Sequence, residues 1–162
     1  MTKYHLKRKE REIKETNKIK EILKQGKYIT ISMCRKDEPY VVTLNYGYDE
    51  SKNSLYFHCA KEGLKLEFLR ENKRVCGTII QDKGYLEGKC DYAYSSVVLW
   101  GNMNFIEDLQ EKEYGIRVMI YHLEIKPEKV IEKLLNKPEA IKRFKMLRLD
   151  IIEIVGKSSS KV

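Results

Sequence analysis

The sequence has no apolar run approaching the roughly 18 to 20 residues that span a bilayer. Its opening stretch, MTKYHLKRKEREIKE, lacks the apolar core of a secretory signal. Both absences point to a soluble, cytoplasmic protein with no membrane partner. The four cysteines, Cys34, Cys59, Cys76 and Cys90, stand singly with no CxxC pair. That argues against a zinc site or a disulfide framework and predicts reduced thiols in or near the core. The three histidines, His5, His58 and His122, share no ligand spacing, so no metal centre is expected. Phosphate loops of the GxGxxG and Walker type, the HExxH zinc signature and the GxSxG nucleophile elbow are all missing. Hydrolase and NTPase chemistry therefore has no residues to stand on.

Charge and tyrosine are plentiful instead. Of 162 residues, 35% are charged and the net charge is +8. A basic surplus points to an anionic partner: a phosphate-bearing cofactor, a nucleic acid or a membrane surface. The 24 acidic residues are interspersed among the 32 basic ones, whereas a nucleic-acid binder gathers its base on one face. No nucleic-acid partner is expected, and KYHLKRKEREIKE reads as a solvated helix face. Hydrophobic residues reach 42% and tyrosines number 11, enough for one real core with many edges that are apolar on one side and wet on the other. The length favours a single domain over 1–162.

Charge alternation over 7–25, with Ile13, Ile19, Ile22 and Leu23 periodic, predicts an amphipathic helix ending at Gly26 as its C′ residue. Period-two or β-branched stretches predict strands at 27–35, 40–48, 55–60, 74–80, 95–107 and 146–157. Gly101 marks a bulge or a close approach. Helices are expected over 62–72 and 108–123, the latter presenting Tyr114, Val118 and Tyr121 on one side. Further helices start at Pro127 and Pro138. The polar, glycine-bearing stretch 81–94 reads as a loop. Six strands with short antiparallel links, the first three forming a meander, exclude a doubly wound parallel sheet. They predict a mainly β fold with flanking helices, closed as a small barrel.

The stretch LYFHCAKEGLKLEFLREN (55–72) passes from strand to helix at a join holding His58, Cys59, Gly63 and Lys65. A helix start presents unpaired N–H groups that favour an anion, and Lys65 falls in the first turn. Taken alone this is a phosphate cradle beside a sheet, and a lone strand-end histidine is more often structural than functional.

Three stretches in order, YVVTLNYGY, LYFHCAKEGLKLEFLRENKRVC and YSSVVLWGN, together with the closing VGK, resemble the FMN-binding split-barrel family of pyridoxamine 5′-phosphate oxidase-like proteins. The branch they look like is the nitroimidazole-resistance flavoproteins. The resemblance covers residues 27–107 and the closing strand. It implies a six-stranded antiparallel split β-barrel that binds FMN, and a homodimer with the cofactor at the subunit interface. It implies that Val42, Thr43, Leu44 and Asn45 offer backbone groups to the flavin ring, with His58 and Cys59 at the ribityl–phosphate end. Lys65 would hold the phosphate, and Ser96 and Val97 would contact the flavin from a further strand. His58 is the residue expected nearest the substrate, as proton donor. The implied activity is FMN-dependent reduction of nitro compounds or free flavin with NADH or NADPH. A flavin-binding or storage protein and a pyridoxamine 5′-phosphate oxidase are the alternatives, followed by a nucleic-acid-binding barrel. The sequence departs from the pattern at Thr43 (usually proline), Cys59 (usually serine or glycine) and Ser95 (usually arginine), changes that bear on FMN affinity more than on the fold.

Overall fold

The computed structural model describes residues 6–135 and 138–159; His5 and the end of the C-terminal tail lie outside them. The predicted N-terminal helix is shorter than its charge pattern implies. A 3-10 turn (Lys9–Arg11) and a two-residue strand β1 (Glu12–Ile13) precede the helix α1 (Thr16–Gln25). Ile13 buries its side chain against the sheet and pairs with Gly156, which pulls the chain out of helix. Gly26 is not a left-handed cap: its φ is −64°. A Cβ there would lie 2.5 Å from the Tyr46 hydroxyl and 2.7 Å from Ile79, so close packing requires the glycine.

The next strands are β2 (Tyr28–Arg35), β3 (Glu38–Asn45), β4 (Gly47–Asp49) and β5 (Ser54–Cys59). After helix α2 (Leu64–Glu71) come β6 (Arg74–Leu86), β7 (Asp91–Ile106), helices α3 (Leu109–Leu123), α4 (Pro127–Leu135) and α5 (Pro138–Ile141), and β8 (Lys145–Ser159). One antiparallel sheet of eight strands runs in the order β3-β2-β6-β7-β8-β5-β4, with β1 pairing on β8. Its two ends are β3 and β4, so the sheet is not closed by hydrogen bonds, and the expected meander does not form. The chain breaks at Tyr46, between strands at opposite ends of the sheet. Tyr46 is fully buried and donates its hydroxyl to the Leu23 carbonyl at 2.7 Å, which anchors the crossing point.

Residues 81–94 are not a loop. They continue β6 and β7 into a two-stranded arm, with Gln81 opposite Ser95 and Leu86 opposite Asp91. The arm runs off the core and water meets much of both its faces, so no hydrophobic alternation marks it. Gly101 fulfils both of its expected roles. The β7–β8 register shifts between Trp100 and Gly101, and a Cβ at Gly101 would overlap the Asp150 carbonyl.

The sheet curls over one core. Ile29 and Ile31 of β2, Leu55 and Phe57 of β5, and Leu147 and Leu149 of β8 join Leu66, Phe68 and Leu69 of α2 in a single cluster. Full burial of each such side chain contributes about 1.5–3 kcal/mol. A second cluster packs Ile116, Met119 and Ile120 of α3 with Ile131 of α4 against Tyr56 and Met146. The buried face of α3 is thus Lys112, Gly115, Ile116, Met119 and Ile120, not the side carrying Tyr114 and Tyr121. Gly115 is required because a Cβ there would lie 2.6 Å from the Tyr56 ring. His122 pins this layer to the sheet: its Nε2 lies 2.6 Å from the Gly26 carbonyl, and its Nδ1 accepts the Tyr48 N–H at 3.4 Å.

Candidate functional site

β5 ends and α2 begins across four residues, 60–63. Gly63 caps the helix at φ +142°, a left-handed-side conformation that glycine adopts freely and other residues rarely do. No side chain caps this N-terminus. The Leu66 N–H bonds the Gly63 carbonyl at 2.9 Å, and the amides of Leu64 and Lys65 ahead of it lie at the open end of the helix, where an anion is favoured. Leu66, Phe68 and Leu69 bury one face of the helix in the core, which holds the helix, and with it the position of its N-terminal amides, against the sheet.

β5 sets His58 and Cys59 on opposite faces. His58 is exposed and pairs with Met146, while Cys59 is buried and pairs with Lys145. Although the residue is exposed overall, desolvation of its ring lowers its pKa; the ring lies edge-on to Phe144, centroids 5.9 Å apart. Burial pushes the Cys59 thiol up, against the pull of the Lys65 and Lys145 ammonium groups. Lys145 donates to Glu107 at 2.6 Å, and that hydrogen bond holds the Glu107 carboxyl below its usual range. The corner is therefore basic, with one aromatic wall. A sequence scan misses Lys145, Phe144 and Glu107, because no local motif signals a cross-strand neighbour.

The remaining expected site residues are spread more widely. β3 is an end strand, so one row of its backbone N–H and C=O groups faces away from β2. Val42 and Leu44 pack on the core, while Thr43 and Asn45 point outward. The Thr43 hydroxyl meets that of Thr30 at 2.9 Å, and the Asn45 amide donates to the Lys27 carbonyl at 3.2 Å. Both side chains are thus engaged within the sheet. Tyr40 at the other end of β3 packs on Phe68, centroids 5.1 Å apart, which ties β3 to α2. Val97 is fully buried and offers the exterior no side chain. Ser96 lies on the outer sheet face opposite Ile80 and Lys157. Lys145 and Lys157 lie near opposite ends of β8, roughly 40 Å of extended chain apart. Ser96 and the Lys65 corner are thus associated with opposite ends of the same strand.

Of the cysteines, Cys34 and Cys90 are exposed, so the expectation that all four thiols lie in or near the core does not hold. Among the described residues, no cluster of His, Cys, Asp and Glu could hold a metal ion. No described helix is long and apolar enough to cross a membrane. Two cavities lie away from the corner. A cavity of about 1000 Å³ separates the N-terminal segment and α1 from the β6–β7 arm. Its walls are cross-linked by Arg11–Asp91 at 3.1 Å and Gln25–Gln81 at 2.9 Å. A cavity of about 630 Å³ is lined by Lys52, Tyr114 and Arg148, where Arg148 pairs with both Glu111 and Asp150.

The outer face of β2, β3, β6 and β7 is largely uncharged. One row runs Thr43, Thr30, Thr78, Val98 and the next Val41, Ser32, Cys76, Trp100. Tyr28, Val41 and Ile80 are 64%, 58% and 65% exposed on it.

The family model described as pyridoxamine 5′-phosphate oxidase matches residues 15–158. Among curated proteins none matches the sequence. Solved structures do. A candidate 5-nitroimidazole antibiotic resistance protein from Bacteroides thetaiotaomicron is 25% identical, with 91% of this chain and 86% of that one covered and a TM-score of 0.77. An FAD-binding protein from Mesorhizobium loti is 20% identical over 93% of this chain and 98% of its own, with a TM-score of 0.66. An FAD- and haem-binding protein from Mycobacterium smegmatis is 15% identical over 93% and 74%, with a TM-score of 0.77. The last two likenesses are of fold alone.

Proposed function

The chain belongs to the pyridoxamine 5′-phosphate oxidase family, and from that premise we propose that it is an FMN-binding oxidoreductase of the nitroimidazole-reductase or flavin-reductase type. The observation that carries this reading is the basic corner: an uncapped helix N-terminus behind Gly63, with Lys65 in its first turn and Lys145 across the strand pair. The donor set fits a phosphate monoester, since backbone N–H groups and ammonium groups converge and the underlying core holds them still.

Bound FMN would supply hydride and single-electron transfer. The chain's own residues bind and orient. Lys65 and the first amides of α2 hold the phosphate. The free backbone edge of β3, over Val42 to Asn45, offers donors and acceptors to the polar rim of the ring, and Ser96 enters from a second copy. Desolvation lowers the His58 pKa and so favours its neutral ring. As proton donor in nitro reduction it would give a rate that rises toward acid.

The proposal includes a homodimer formed through the outer sheet face. Two chains of charge +8 meet at least cost where no side chain is charged, and the rows from Thr43 to Val98 and from Val41 to Trp100 meet that condition. Pairing the faces also brings a second copy's residues to a site that one chain leaves spread out.

The visible spectrum of the purified protein tests the cofactor. Flavin bands, native or after reconstitution with FMN, are expected; a colourless protein that cannot be reconstituted overturns the reading. NADH and NADPH oxidation, with and without a nitroimidazole or free FMN, then separates an oxidoreductase from a flavin carrier.

A further inference from the structure

We propose that Lys145 is a second phosphate-binding cation of this corner, kept by Glu107 until a flavin nucleotide takes it over. The proposal rests on the flavin reading. β8 sets Lys145 directly opposite Cys59, next to the His58–Met146 pair. Its Nζ donates to Glu107 Oε1 at 2.6 Å, and Glu107 Oε2 lies 3.6 Å from Lys112 Nζ. One carboxylate thus faces two ammonium groups, and the trio keeps a net charge of +1.

The two lysines are not equivalent. The Lys112 side chain is 9% exposed, and Glu107 is its one ion-pair partner among the described residues. Removing Glu107 from it would leave a buried charge unpaired, which is costly. Glu107 is itself 63% exposed and Lys145 28%, so their pair is screened by water and contributes little. A phosphate carries up to two charges and three acceptor oxygens. Lys145 therefore exchanges partners at small cost while Glu107 stays with Lys112. The same chemistry fits the monoester of FMN or the pyrophosphate of a dinucleotide.

Binding of FMN, FAD and riboflavin to the full chain, followed by flavin fluorescence quenching, tests this. Lys145→Gln is expected to raise the Kd of phosphate-bearing flavins about tenfold, the size of one charge-assisted contact. Riboflavin should be unchanged, and its binding also shows that the variant is folded. Lys145→Arg should restore most of the loss, and Glu107→Gln should tighten FMN several-fold by freeing Lys145. An effect on FMN and FAD alike assigns Lys145 to the shared phosphate, and an effect on FAD alone to the outer one. If Lys145→Gln binds both nucleotides like the wild type while Lys65→Ala weakens them, the Lys145 role is overturned and the flavin site stands. If Lys145→Gln does not fold, Lys145→Ala decides: nucleotide binding like the wild type overturns the role. A wild-type chain that binds none of the three overturns the flavin reading and this inference together.

Discussion

The two ends of β8 make different kinds of surface. At its Lys145 end the strand lies between β5 and β7, and the corner is built on Cys59, Leu66 and Leu147, buried in one cluster. Its cations sit over a packed core, so one chain sets their geometry. At Lys157 the same strand lies next to Ser96, on a sheet face that is still open to water. In the proposed dimer a second chain supplies the other wall. A site that uses both ends has half its precision built in and acquires the other half by association.

The largest expected effect comes from breaking the open half. Placing carboxylates at Val41 and Ile80 together would put four charges into the paired faces. A cost on the order of 4 kcal/mol is expected, enough to give monomers at micromolar concentration in size-exclusion chromatography with light scattering. Flavin retention should fall with the dimer; an unchanged dimer would move the interface elsewhere. Gly101→Ala strikes the β7–β8 bulge between the two ends. Its methyl group would overlap the Asp150 carbonyl, and a loss of about 2–4 kcal/mol is expected as a lower denaturant midpoint. Lys65→Ala acts only on the built-in half: FMN should bind about ten- to thirtyfold more weakly while riboflavin is spared. Equal loss for both ligands would place Lys65 away from the phosphate.

A smaller effect follows from His122, which links α3 to β4 and to the turn after α1. Burial lowers its pKa despite the opposing bond to the Gly26 carbonyl. The folded state therefore prefers the neutral ring. Its contribution is fully present above the unfolded value near 6.5 and is lost as pH falls through the lower folded value. The Tm should decline from pH 6.5 toward 5, with a shallower slope in His122→Gln. Lys18→Ala, which removes an exposed ion pair with Glu15, should leave the denaturant midpoint unchanged, because water screens such a pair, and leave both ends of β8 as they are.

Much of the fold is legible in the chain. The alternation in KYITISMCR, the turn after it and the helical spacing of 64–69 reflect local period and burial, and these become β2, the hairpin and α2. The β6–β7 arm is not legible, because strands wet on both sides carry no alternation. Nor is the split at Tyr46, since YVVTLNYGY is continuous in β propensity, while the buried hydroxyl bond to Leu23 and the close approach of Gly47 to Met119 of α3 are tertiary contacts. Within the candidate site, His58, Cys59 and Lys65 stand out through their strand-to-helix setting. Lys145 does not, because it meets Glu107 38 residues away in sequence and Cys59 farther still.

By itself, the sequence determined a mainly antiparallel β protein of one family, with a helix N-terminus suited to an anion, because periodicity, glycine placement and short motifs act over a few residues. Only the tertiary structure decided that the sheet stays open with β3 and β4 at its ends. It also decided that two lysines share Glu107, and that Ser96 pairs with Lys157, near the end of β8 opposite to Lys145. Strand order and cross-strand neighbours depend on which distant segments exclude water together, and no local pattern in the chain encodes that choice.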